Sequence, residues 1–232
     1  MGEGEHTWLS RKVPNGFWDS LDNRRTYLQW LGEKLGFISK DDWYKLEGKH
    51  FSKENKGTTI YSRFYNDPKL AVKELFPDTT WHPWLFKRAG NGYWNEVENR
   101  IKYLKWLEEK LAFSDPQDWY DITRLDFDNN NGGGLLVHAY ESTLSRATKE
   151  LYPNFDWKPW LFKITPRKYF SKMVNRRQYL DWVAEELSHS SLESWYEMTK
   201  YDVLIKPGGG FIENYYNGSL SNMLIDVYPE YD

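Results

Sequence analysis

Residues 23–35 read NRRTYLQWLGEKL, and the phrase returns as NRIKYLKWLEEKL at 99–111 and NRRQYLDWVAEEL at 175–187. Leu28, Leu31 and Leu35 stand at i, i+3 and i+7, and Tyr27 and Trp30 widen the stripe into one broad apolar face, which predicts an amphipathic helix buried on that side. The copies are 76 residues apart. The same period holds for Trp8, Trp84 and Trp160, for Trp43, Trp119 and Trp195, and for the dipeptides Asn23-Arg24, Asn99-Arg100 and Asn175-Arg176. Pro77, Pro153 and Pro229 close the units. The chain therefore reads as a tail over 1–7 and three gapless repeats, 8–83, 84–159 and 160–232. The last is C-terminally short, since the counterparts of Trp81 and Trp157 would fall at position 233.

Working outward from the long helix, Ser39, Asp115 and Ser191 are capping residues, and Pro116 takes the favoured first helical position behind one of them. Asp42, Asp118 and Ser194 follow three residues later, loosely in the manner of a capping box. Thr123 with Asp126 and Thr199 with Asp202 predict another short helix, ended by Gly132-Gly133-Gly134 or Gly208-Gly209-Gly210, where the first repeat keeps only Gly57. An apolar run follows, and Asp67, Thr143 or Ser219 caps a final helix that buries Ala71, Val72 and Leu75 or their counterparts. No alternating stretch predicts a strand. The fold class is all-α, with about five short helices per repeat and W-x-P-W-L-F-K at the joins, stacked as a short solenoid-like array.

The string W-x-P-W-L-F, N-R-R-x-Y-L-x-W-L, D-W-Y, G-G-x-L-L and L-Y-P resembles tandem Trp/Tyr-rich helical repeats in uncharacterised proteins of eukaryotic microbes and algae. The resemblance spans nearly the whole chain and implies a repeat fold. It brings no activity and no site residue with it.

Composition bounds the function. With 13 Trp, 17 Tyr and 12 Phe the chain is 18% aromatic, and because every Trp sits on the repeat lattice the rings are expected mainly in the core. Trp30, Trp106 and Trp182 are expected to be largely buried. There is no cysteine, hence no disulfide and no thiolate chemistry. No apolar run reaches the roughly 18 residues a membrane span needs, and the start carries no targeting signal, so a soluble intracellular protein without membrane contact is expected. His6, His50, His82, His138 and His189 fall at unrelated repeat positions, and the neighbouring carboxylates Asp41-Asp42 and Glu108-Glu109 diverge around their helices. No catalytic residue, metal site, cofactor or small-molecule substrate is assigned, and the protein is expected not to be an enzyme.

Two binding roles remain. Glycine before a helix frees N–H groups for an anion, and the following pair of helices is arranged like a helix-turn-helix. This points to nucleic-acid backbone contact through Lys56, Gly57, Arg63, Lys69, Lys73, Gly133, Arg146 and Lys149, with Gly209 as the third glycine of the set. The repeats carry 13 Lys and Arg against 10 Asp and Glu, then 10 against 12, then 8 against 10, so such contact concentrates in the first. The alternative is a protein-protein interaction scaffold, favoured by the net charge of −3 and the stacked-repeat form. Arg24, Arg100 and Arg176, each behind an Asn, are read as bridges to carboxylates or covers for rings rather than as ligand contacts.

Overall fold

The apolar stripe becomes three fourteen-residue helices, Leu21–Lys34, Val97–Lys110 and Met173–Glu186, in the computed structural model, which describes residues 7–10, 12–53, 55–189 and 193–231. Both ends recur at the 76-residue period. Tyr27, Leu28 and Leu31, with Tyr103, Leu104 and Leu107 and with Tyr179, Leu180 and Val183, are wholly buried. Trp30, Trp106 and Trp182 are mostly covered, as expected, though less completely than the stripe itself. At 100° per residue these rings stand at the margin of the stripe, about 115° from its centre, so they lie along the core's edge. The buried indoles are Trp8, Trp18, Trp43, Trp84, Trp119 and Trp160, and none of the 13 Trp is exposed.

All three long helices end in the same way. Gly36, Ala112 and Ser188 take the left-handed conformation, and the next N–H reaches back to the carbonyl of Gly32, Glu108 or Ala184. Tight turns follow at Lys40–Lys45, Pro116–Asp121 and Glu193–Glu197. Ser39 with Asp42 and Asp115 with Asp118 form full capping boxes, stronger than the loose match expected, with aspartate in the place usual for glutamate. Lys45 and the N–H groups of Ser39 and Ile38 hold the Asp42 carboxyl well below its ordinary range. Ser191 lies outside the described residues. Thr123 with Asp126 and Thr199 with Asp202 cap Arg124–Asn129 and Lys200–Leu204. The first repeat replaces this with Gly48–Phe51, where His50 Nδ1 accepts from Glu47 N at 3.1 Å.

Each repeat closes on two helices: Thr58–Ile60 running on through Tyr61–Tyr65, then Pro68–Leu75; Gly133–Tyr140, then Leu144–Leu151; Phe211–Tyr216, then Leu220–Val227. No strand occurs among the described residues. The chain divides into two compact units, Met1–Tyr93 and Trp94–Asp232. In the first unit Trp8, Trp18, Tyr27, Trp43, Phe51 and Ile60 gather into one core. In the second, Trp160, Phe170, Tyr179, Val203 and Phe211 do the same for the last repeat.

The W-x-P-W-L-F-K segments fold back on the D-W-Y turn before them. Trp81 and Phe86 meet the Tyr44 ring edge-on at 5.0 and 4.9 Å, and Trp157 and Phe162 meet Tyr120 at 5.3 and 4.9 Å. His82 N donates to Tyr44 Oη at 3.2 Å and Lys158 N to Tyr120 Oη at 2.9 Å. Trp160, between Trp157 and Phe162 in sequence, packs the other way, against Tyr179 and Trp182 of the last repeat. One short segment thus contributes rings to two repeats at once.

Candidate functional site

The glycines predicted to cradle an anion have a steric task first. Tyr27 and Tyr103 reach from the long helices to donate to the carbonyls of Asn55 (3.1 Å) and Asn130 (3.2 Å), and the next residues, Lys56 and Asn131, are left-handed. Gly57 and Gly132 then press the start of the following helix onto those hydroxyls: a Cβ on either would overlap the Tyr27 or Tyr103 oxygen. At Gly208 a Cβ would stand 2.8 Å from Trp160 Cβ and 3.3 Å from the Tyr179 ring. In the first two repeats the equivalent residues are therefore Gly57 and Gly132, not Gly57 and Gly133. The period slips by one between the first two repeats. Phe51 to Gly57 spans one residue more than Phe127 to Gly132, and the turn at Asn66 one fewer than the turn at Glu141 and Ser142. The two changes cancel, so the sequence looks gapless.

Gly133 is the first residue of its helix, and a Cβ there would overlap Asp128 Oδ1. The protein's own carboxylate thus occupies the space over that helix start. In the first repeat the corresponding residue is Ser52, which is uncharged.

The recurring Asn-Arg pairs are consumed by the fold. Asn23 and Asn175 donate to the carbonyls of Phe17 and Tyr169 at 2.7 and 2.6 Å. Arg24 and Arg100 also cap the turns before their helices, each donating to two carbonyls, and each grips a carboxylate fifty residues on in bidentate fashion: Glu74 at 2.9 and 3.0 Å, Glu150 at 2.8 and 2.8 Å. Tyr65 and Tyr140 donate to the same carboxylates at 2.6 and 2.7 Å. Arg176, Asp226 and Tyr216 repeat the arrangement with a single 3.2 Å ion pair. The Arg100 and Tyr140 donors hold Glu150 below its ordinary range, and burial pushes Tyr140 up. The bridging role expected of the arginines is what the geometry displays.

Of the cations in the predicted nucleic-acid set, Arg63 pairs with Asp19 at 2.8 Å, Lys69 with Asp67 at 3.0 Å and Arg146 with Glu141 at 2.6 Å. Lys56, Lys73 and Lys149 are exposed and make no ion pair among the described residues. Arg146, Lys149 and Gly133 belong to the second compact unit and the rest to the first. One cluster does form. Lys56 shares a cleft of about 510 Å³ with Lys12, Lys53, Thr58 and Thr59 against Trp8 and Trp18. Lys12 and Lys53 were not singled out in the sequence, because 41 positions separate them and only the fold brings them together. The two compact units also differ in charge, with 15 Lys and Arg against 12 Asp and Glu in the first and 16 against 22 in the second.

No helix among the described residues is long and apolar enough to cross a membrane, and among them no group of three His, Asp or Glu side chains is placed to hold a metal. Compared with protein-family models, curated proteins and solved structures, the chain matches none.

Proposed function

We propose that the chain is a non-enzymatic helical-repeat scaffold, its three 76-residue repeats stacked as a short solenoid that holds protein partners on its outer surface. The observation that carries this reading is the joint at 157–163, where Trp157 and Phe162 clasp Tyr120 while Trp160 enters the core of the next repeat. A segment committed to both sides ties the second and third repeats together, and repeats joined in this way offer a continuous surface to a partner. The recurring polar side chains support the same reading, since Asn, Arg, Tyr and Asp at lattice positions satisfy backbone groups and one another.

A second reading, contact with nucleic-acid backbone, is favoured by one observation, the cleft that joins Lys12, Lys53 and Lys56 to two threonines beside Trp8 and Trp18. Anisotropy titrations of labelled duplex and single strand at two salt concentrations, with wild type and the Lys53→Ala/Lys56→Ala variant, separate the two. The scaffold reading expects no saturable binding even at low salt, where attraction is greatest. Tight binding that weakens steeply with salt, and whose salt slope falls by about one per lysine removed, would transfer the function to nucleic acid.

A further inference from the structure

One short turn recurs in all three repeats, and in the first it is closed by a different acceptor. Asp126 Oδ2 accepts from Thr123 N at 2.8 Å and from Thr123 Oγ1 at 2.7 Å, and Asp202 Oδ2 accepts from Thr199 N at 2.7 Å and from Thr199 Oγ1 at 2.6 Å. At the same lattice positions the first repeat carries Glu47 and His50, and the imidazole Nδ1 takes the place of the carboxylate, accepting from Glu47 N at 3.1 Å. The backbone is alike. His50 N donates to Glu47 O at 3.0 Å, as Asp126 N does to Thr123 O at 3.2 Å and Asp202 N to Thr199 O at 3.1 Å.

The exchange changes what a proton does. A carboxylate goes on accepting until the pH falls toward about 4, and the Thr199 hydroxyl and N–H hold Asp202 below its ordinary range. An imidazole accepts only while neutral. Once protonated, both ring nitrogens carry hydrogen, and Nδ1–H meets Glu47 N–H donor against donor. Burial and the Lys49 charge, with a smaller push from Lys87, lower the His50 pKa against the opposing pull of Glu47. The unfolded chain therefore takes up the proton first. The cap's contribution is fully present above about pH 6.5 and is lost as pH falls through the lower folded value.

The surroundings of the ring are fixed by other charges. Glu47 pairs with Lys49 on its own turn at 2.7 Å and with Lys87 of the W-x-P-W-L-F-K segment at 2.6 Å, and these lysines hold its carboxyl down at about 2, so it stays ionised while His50 titrates. The His50 carbonyl accepts from Asn55 Nδ2 at 2.7 Å, and Lys34 of the long helix donates to Asn55 Oδ1 at 2.6 Å. Tyr61 packs on the turn from the following helix, close enough that a Cβ on Gly48 would stand 2.7 Å from its hydroxyl, and burial keeps that hydroxyl protonated.

We propose that His50 is a proton-operated latch confined to the first repeat: neutral, it closes the 47–50 cap, and protonated, it opens it, while the aspartate caps of the other two repeats stay shut. Mild acid thus loosens one repeat of the scaffold and leaves its neighbours intact. This goes beyond the scaffold reading and holds whatever the array binds.

The test is amide exchange of the full chain followed by NMR at about pH 7 and about pH 5, corrected for intrinsic rates, with the Thr123 and Thr199 amides as internal references. Relative to them, the Glu47 amide should lose at least about fivefold of its protection in acid, the scale of one backbone hydrogen bond removed. Its chemical shift should titrate with the same midpoint as the His50 ring. His50→Asp installs the acceptor of the other repeats, and His50→Asn supplies an amide oxygen without adding a charge beside Glu47; both should abolish the acid response. A Glu47 amide that keeps pace with Thr123 and Thr199 at about pH 5, or an acid response that survives in the folded variants, overturns the proposal.

Discussion

The first and second repeats make the same turn with different side chains. In both, a buried tyrosine from the long helix donates to a turn carbonyl, a left-handed residue follows, and a glycine sits against the ring. Lys53, Lys56, Thr58 and Thr59 line the first version, whereas Asp128, Asn131, Gly133 and Gly134 build the second. A like contrast lies one layer deeper. A Cβ on Gly32 would stand 2.5 Å from the Trp43 ring, which fills that space, whereas Glu108 at the equivalent position accepts from Trp119 Nε1 at 2.7 Å and from the Tyr152 hydroxyl at 2.8 Å. The backbone device is constant and the chemistry laid over it varies. What the repeats share therefore reports the fold, and what they do not share sets the differing surface chemistry of each turn.

The sharpest break of this comparison is Trp119→Ala. The ring is wholly buried and carries the hydrogen bond to Glu108, so unfolding by denaturant should show a loss of about 3–5 kcal/mol. Trp106→Ala, at the stripe's edge, should lose clearly less. Equal losses would place Trp106 in the core after all.

Next come the glycines. Gly132→Ala would drive a methyl into the Tyr103 hydroxyl, and Tyr103 is fully buried with nowhere to move, so a loss of about 3 kcal/mol is expected. Gly134, two residues on, has nothing within 4 Å of a would-be Cβ, and Gly134→Ala should be neutral or stabilise by about 0.5 kcal/mol. Thermal melts of the two variants test whether the tract is tuned for close approach at one position only.

The smallest effect is electrostatic. Glu150 is held below its ordinary range chiefly by Arg100, so its contribution is fully present above the unfolded value of about 4.3 and is lost as pH falls through the depressed folded value. Arg100→Met should cost about 1–2 kcal/mol at pH 7, the pair being partly exposed, and its deficit against wild type should shrink below about pH 4. A deficit constant down to pH 2 would mean that Arg100 acts through the carbonyls it caps and not through Glu150.

Much of the fold was legible because its signals are local. The stripe at Tyr27, Leu28 and Leu31, the caps at Ser39, Thr123 and Thr199, and Pro68 at a first helical position each need only a few neighbouring residues to act. The site was less legible. Lys56 was found, but Lys12 and Lys53 were not.

The sequence by itself determined the 76-residue period, the all-α character and the inward turn of the Asn-Arg pairs, since helix periodicity and capping are written within one or two turns of chain. Only the tertiary structure decided the one-residue slip at Gly57 and Gly132, the Asp128 carboxylate over a helix start, and the fifty-residue reach from Arg24 to Glu74. Compensating shifts cancel in a spacing count, and contacts between distant residues depend on the path of the chain between them, which no local pattern records.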